Sequence, residues 1–406
     1  MIFKNKELEH LWPFYLHTLL NGLSMMIFPF MILYFMNLGF SFFQISVITS
    51  AYGFSMFLFE IPTGAFADGF SRKYSVVLGF IIIAICTSLI PTTNNFYFIV
   101  LLRALSGMGM TFVSGADEAW VIDNLNKNDR QDLHHEYFIK TKGFSELGTM
   151  IAPIIGAILV KAHSIKFLWF IYGFSFFINA VLIMFFTKEH TASKKVRTNG
   201  LIQKSYQNAK LGLAFSSRNK VVLLCIIAGT FLQLMMIGAI GIQPLLVSLG
   251  MAEHQLGYVY SISSAVCVVS VFFSRFFVRH KPKNSISILV VAIMILNFSL
   301  LLVNAPYFMI ACVIFILTDA LFTIGGPITQ TYFHKFIPGK LRATVMSVNS
   351  MFFQLIMSCA SLVAGACLDL FGPQKVIAFT ALFGVIAVFF YQRIKDPKLE
   401  FNVPTK

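Results

Sequence analysis

Twelve long apolar stretches, parted by short polar breaks, run through this sequence at 11–37, 43–66, 74–93, 96–123, 142–161, 166–187, 219–248, 254–279, 285–303, 306–333, 343–370 and 375–392. A helix needs about 20 apolar residues to cross the hydrocarbon core of a bilayer, so each stretch is long enough or nearly so. Twelve crossings consume most of the 406 residues. Little chain is left for a catalytic, nucleotide-binding or DNA-binding domain. Composition points the same way: 57% of the residues are hydrophobic and 12% charged, where soluble domains carry about 25% charged. A membrane β-barrel is excluded, because its strands are short and alternate in polarity. The predicted fold class is an all-α membrane protein.

The formal net charge is +14. On a soluble chain that would suggest nucleic acid, but here the basic residues lie between apolar runs. Lys161, Lys166 and Lys375 fall on one face of the membrane and Arg103 inside a span, while the other Lys and Arg fall on the opposite face. The positive-inside rule makes that face cytoplasmic, with the anionic inner leaflet as its partner. An even number of spans then places both termini there, and a bacterial inner membrane is the expected location. No cleavable signal is expected, because the first apolar run is too long for one and carries His17 and Asn21. The six cysteines all sit in apolar segments without a Cys-x-x-Cys pair and read as small core residues. A monomer is expected, with no metal and no cofactor.

The longest break, 188–218, is rich in Lys and Arg and divides the chain into 1–187 and 219–406. Leu201, Ile202, Tyr206 and Leu211 are mixed into it. That pattern fits a surface helix on the leaflet or a solvated linker. The two halves echo each other. Leu38-Gly39 followed by Gln44 returns as Leu249-Gly250 followed by Gln255, an offset of 211. Tyr97-Phe98 returns as Tyr307-Phe308, and Phe112 with Gly115 as Phe322 with Gly325, each at 210. Two pseudo-symmetric six-helix bundles are therefore expected. Spans three, six, nine and twelve have no charged residue in their interiors and should face lipid. His17, Asn21, Arg103, Gln233, Gln243 and Asp319 lie in the remaining spans, where an ionisable group marks a wet cavity or bundle interior.

Three segments carry a family resemblance. Between spans two and three stand Gly64, Asp68, Arg72 and Lys73: a glycine, an acid four residues on, then a basic pair. This resembles the signature loop of the major facilitator superfamily, though Gly69 and Ser71 depart from its usual residues. Arg103 followed by Gly107 in span four resembles that family's intramembrane arginine motif. Gly148, Ala152, Pro153 and Gly156 in span five resemble the antiporter motif of its drug-exporting branch, with alanine where glycine is usual. The resemblance implies a twelve-span secondary transporter of two parallel repeats. It further implies that the loop acts as a gating latch, Asp68 and Arg72 pairing near Asp123 while Gly64 allows close approach. It links Arg103 to proton coupling.

Asp319 has no Lys or Arg for fifteen positions on either side. A carboxylate so placed favours uptake of a proton or a cation. Together with Arg103, His17, Asn21 and Gln233 it is a candidate for proton or substrate binding. Asp117, Glu118 and Glu146 fit either an ion-pair cluster or a proton path. No Walker loop, dinucleotide fingerprint or nucleophile elbow is present, so an enzyme is not expected. The expected function is proton-coupled efflux of small apolar or cationic compounds. A proton-coupled importer of a nutrient or metal chelate is the alternative, and a transport-dead membrane sensor a more distant one.

Overall fold

A computed structural model describes residues 3–187, 207, 210–278, 282–305 and 307–394. Among the described residues, twelve helical spans are long and apolar enough to cross a membrane: Glu7–Asn37, Phe42–Gly69, Arg72–Thr92, Phe96–Lys127, Gln131–Ala162, Ile165–Phe186, Lys220–Ser248, Gln255–Phe277, Pro282–Leu302, Phe308–His334, Thr344–Phe371 and Pro373–Arg393. They are numbered one to twelve in that order. The end of the bundle carrying Glu7 and Arg393 is called the near end, the opposite end the far end. Most of the basic segment 188–218 lies outside the described residues, while 210–218 is helical.

The halves share one packing scheme. Span one packs on five and six, span two on four, and span three on four and six. The same pairs recur six spans later: seven on eleven and twelve, eight on ten, nine on ten and twelve. Between halves, span two packs on eleven and span eight on five. Those contacts exchange under the pseudo-twofold, and spans one and seven meet across it. The outward faces of spans three, six, nine and twelve show apolar stripes at helical spacing, such as Leu78, Ile81, Ile85 and Leu89.

The repeat extends to local irregularities. Span one breaks into a 3-10 stretch at Met25–Phe30, followed by a short helix Met31–Asn37. Span seven breaks at Ile237–Gly241, followed by Ile242–Ser248. Each break has a proline at or just past it, which cannot donate to the carbonyl four residues back; Pro29 frees Met25 and Pro244 frees Ile240. The echoed Leu-Gly pairs end these helices. Gly39 and Gly250 take φ of +86° and +106°, a region glycine enters without strain. Gln44 and Gln255 then reach back to cap the next span, accepting from the backbone N–H of Ser41 (3.0 Å) and Ala252 (3.1 Å). Span four departs from its repeat partner. It breaks at Gly115, whose φ is +73°, while span ten runs unbroken through Gly325.

Candidate functional site

The halves are joined toward the far end. Asp369 near the end of span eleven accepts from the backbone N–H of Phe42 (2.8 Å) and Phe43 (2.9 Å) at the start of span two. Ser50 bonds Ser358 O at 2.8 Å and Ser361 Oγ at 2.6 Å. Ser261 of span eight donates to Met150 O of span five at 2.6 Å. On the pseudo-twofold, the Gln243 amide enters the break in span one: its Oε1 accepts from Ile32 N–H (3.2 Å) and its Nε2 donates to Phe28 O (2.9 Å). Toward the near end, a cavity of about 330 Å³ opens between spans seven, ten and eleven. Gln233, Thr230, Thr329, Gln330, Asn349 and Ser350 give it a polar lining.

Asp319 stands on span ten, half-buried. Its Oδ2 accepts from Ser263 Oγ of span eight at 2.6 Å. Tyr260 and Cys267 of span eight lie within electrostatic reach, and the Tyr260 hydroxyl accepts from Gln243 at 3.2 Å. Among the described residues no Lys or Arg pairs with this carboxylate. Arg103 is 8% exposed. Its guanidinium lies 4.7 Å from the centre of the Tyr52 ring, a cation–π contact, and its Nε is buried with no hydrogen-bond partner. Arg103 and Asp319 make no ion pair; they belong to opposite halves.

His17 is 3% exposed. Its Nδ1 lies 3.0 Å from Asn179 Oδ1 of span six, and its Nε2 lies 3.3 Å from Asp117 Oδ2 of span four. Asp117 sits in the first helical turn after the Gly115 break, where the helix dipole favours a carboxylate. Glu146 pairs with Lys142 of its own helix at 2.6 Å; Glu118 is exposed. Asn21 is half-buried, and its carbonyl accepts from Ser24 Oγ at 2.7 Å.

In the loop, Arg72 donates to Asp123 at 2.6 Å and to Asp68 at 3.1 Å. Lys73 donates to Thr187 O at 2.7 Å. Gly64 departs from the close approach expected of it, since a Cβ added there meets nothing within 4 Å. The physical reason is that the joining contacts between halves are drawn up at the far end, away from this residue. The span-five residues do pack tightly. A Cβ on Gly148 would lie 2.8 Å from both Gly22 Cα and Leu19 O, and one on Gly156 2.7 Å from Met26 O. The opposite face of this helix, at Pro153 and Ala157, meets Gly257 of span eight. Ala152 is fully buried.

Besides Asp369, two further carboxylates of note are absent from the sequence reading. Glu60 in span two is half-buried, and among the described residues its side chain has no hydrogen bond or ion pair. Its signal was a lone acid in Leu58-Phe59-Glu60-Ile61-Pro62. Glu7 is 0% exposed and accepts from Lys140 (2.6 Å), Tyr15 (2.7 Å) and Lys4 N–H (2.7 Å). Such a buried ion is satisfied by its donors and clamps the start of span one to span five.

The family model for the Major Facilitator Superfamily matches residues 14–360. The uncharacterized MFS-type transporter YxaM of Bacillus subtilis (strain 168) is 25% identical over 401 residues, covering 96% of this chain and 98% of that protein. An uncharacterized MFS-type transporter of Methanocaldococcus jannaschii is 20% identical over 377 residues, covering 90% and 93%. Among solved structures, a bacterial homologue of the human lysosomal transporter Spinster, inward-facing and occupied, superposes with a TM-score of 0.76 at 15% identity, covering 96% of this chain and 97% of that one. The nucleoside transporter NupG gives 0.73 at 16% identity, covering 95% and 99%. The matched span, the twelve crossings and the repeated packing scheme agree, and this integral membrane protein belongs to the major facilitator superfamily.

Proposed function

We propose that the chain is a proton-coupled secondary transporter that exports small apolar or cationic compounds by alternating access. The observation that carries this reading is Asp319, a carboxylate inside a span held by the Ser263 hydroxyl, with the Cys267 thiol beside it, and, among the described residues, without a cationic partner. Such a group is neutralised either by a proton or by a cation from the substrate. When the two compete for one carboxylate, binding one releases the other, and the movement is antiport. The near-end cavity supplies polar anchors beside apolar walls, including Phe333 and Phe353. Export is favoured by the span-five segment, which packs on span one with one face and on span eight with the other. A lysine- and arginine-rich near end supports a cytoplasmic placement of both termini in a bacterial inner membrane.

Purified protein in proteoliposomes, challenged with a pH step and a panel of lipophilic cations, tests this. A transported compound is expected to drive proton flux. Asp319→Asn is expected to bind that compound without pH dependence and to lose accumulation against a gradient. Uphill, pH-dependent transport at the wild-type rate in Asp319→Asn would place the exchange elsewhere. Sided thiol labelling of a Ser193→Cys variant, in the segment outside the described residues, reads the orientation in the same vesicles.

A further inference from the structure

We propose that His17 and Asp117 form a second proton-binding site, holding one exchangeable proton and served from the near end by a crevice between spans one, four and six. The chemistry follows from what the two imidazole nitrogens face. Asn179 Nδ2 donates to Ser175 O at 3.0 Å, so Asn179 Oδ1 is the acceptor turned toward His17. The His17 Nδ1 therefore carries a hydrogen and donates it, 3.0 Å away. The other nitrogen, Nε2, faces Asp117 Oδ2 at 3.3 Å. A neutral ring with a bare Nε2 and an ionised carboxylate would set two acceptors against each other. One proton resolves the contact, on the nitrogen as an imidazolium–carboxylate pair or on the oxygen as a neutral pair.

The surroundings keep that proton on these two residues. Span three offers His17 the Phe80 ring, with centroids 5.2 Å apart, and span six offers Asn179. Span five contributes Tyr137, within electrostatic reach of Asp117 and Glu118. Span four contributes Glu118, which is exposed. The remaining carboxylate atom, Asp117 Oδ1, is buried without a partner, as is Trp120 Nε1 one turn away. Buried polar atoms are almost always hydrogen-bonded, so this pair of orphans marks a polar spot beside the His17 contact.

Access comes from a crevice of about 410 Å³ at the near end, separate from the cavity of the second half. Glu9, His10 and Asn124 line its polar side. Pro13 and Val121 also line it; each is four residues, about 6 Å along a helix, from His17 and Asp117 respectively. Phe14, another lining residue, packs edge-on against Trp120 with centroids 5.1 Å apart. The pair thus joins span one to the segment of span four beyond the Gly115 break. Gaining or losing its proton changes the charge on the contact that ties those two elements. Asp319 lies in the other half, apart from this pair.

Histidine-selective ¹⁵N NMR on the purified full chain tests this without any substrate. The His17 signal is identified by its loss in His17→Gln or, where that variant does not fold, by its Nδ1 shift in Asn179→Ala. The expected result is a ring that keeps Nδ1–H throughout and exchanges one proton at the Nε2–Asp117 contact between about pH 5 and 8. In Asp117→Asn the imidazolium should be lost from at least the upper ~1 pH unit of that range. A neutral Nε2–H tautomer across the range would overturn the proposal, as would a His17 titration unchanged by Asp117→Asn. The same step is expected to persist in Asp319→Asn. That separates this inference from the transport reading: failure of the vesicle assay leaves the titration standing, and the reverse also holds.

Discussion

Arg72 is gripped unequally by its two carboxylates. The bond to Asp123 is 2.6 Å and crosses from the loop to the end of span four, while the bonds to Asp68 are 3.1 and 3.4 Å and stay within one turn. Both acids are more than half exposed, so neither bond adds more than about 1 kcal/mol to stability. A gating role predicts a kinetic signature instead. Asp123→Asn is expected to slow transport more than Asp68→Asn, with substrate affinity and thermal unfolding little changed in both. Equal slowing, or loss of binding in folded protein, would count against the latch. The Arg72–Asp68 pair was legible because the loop resembles the family's signature motif, whose acid and basic residue lie only four positions apart. The contact of His17 with Asp117 was not, because it joins residues 100 apart in sequence through the packing of spans one and four. Asp319 was visible as a lone charge. That its partner would be Ser263 rather than Arg103 depended on how spans eight and ten pack.

At the scale of the helices, the sequence announced lengths and order but not interruptions. Apolar periodicity continues through Met25–Phe30 and Ile237–Gly241, so hydropathy alone reads each span as one helix. At the breaks, Pro29 and Pro244 leave backbone groups without donors, and in span one the Gln243 amide occupies part of the gap. Glycines show the same divide, since their sequence context does not say what stands opposite. Gly148 faces Gly22 across a contact that a Cβ would reach at 2.8 Å, whereas the space beside Gly64 is open. Gly148→Ala is therefore expected to cost about 1–3 kcal/mol through overpacking of spans one and five. Gly64→Ala should cost nothing in this arrangement. Thermal unfolding in detergent compares the two, and an equal fall in Tm would show that Gly64 is tightly packed in the folded ensemble.

The whole molecule is two like bundles joined toward one end, each with its own cavity or crevice at the other. Among the described residues, the hydrogen bonds between the halves gather toward the far end, at Asp369, Ser50, Ser261, Gln243 and the Asn37–Glu253 pair. Alternating access requires that this set come apart while contacts form at the near end, so each far-end bond weights the balance between two arrangements. Asp369 is the strongest candidate for that weighting. Its two oxygens each take one backbone N–H, at 2.8 and 2.9 Å, from the first residues of span two. Those groups have no partner inside their own helix, and the helix dipole adds attraction for a negative charge there. An amide in its place keeps one acceptor and loses the charge. Asp369→Asn is then expected to weaken far-end closure by about 1–2 kcal/mol, which raises the far-end-open population about 5–30-fold. Spin labels on the far-end tips of spans two and eleven, in a background free of the native cysteines, read that population as a longer distance component. The component should grow in Asp369→Asn and stay at the wild-type level in Asp369→Glu, whose carboxylate retains both acceptors and the charge. An unchanged distance distribution in Asp369→Asn would mean that closure is held by the other far-end contacts, those of Ser50, Ser261, Gln243 and the Asn37–Glu253 pair.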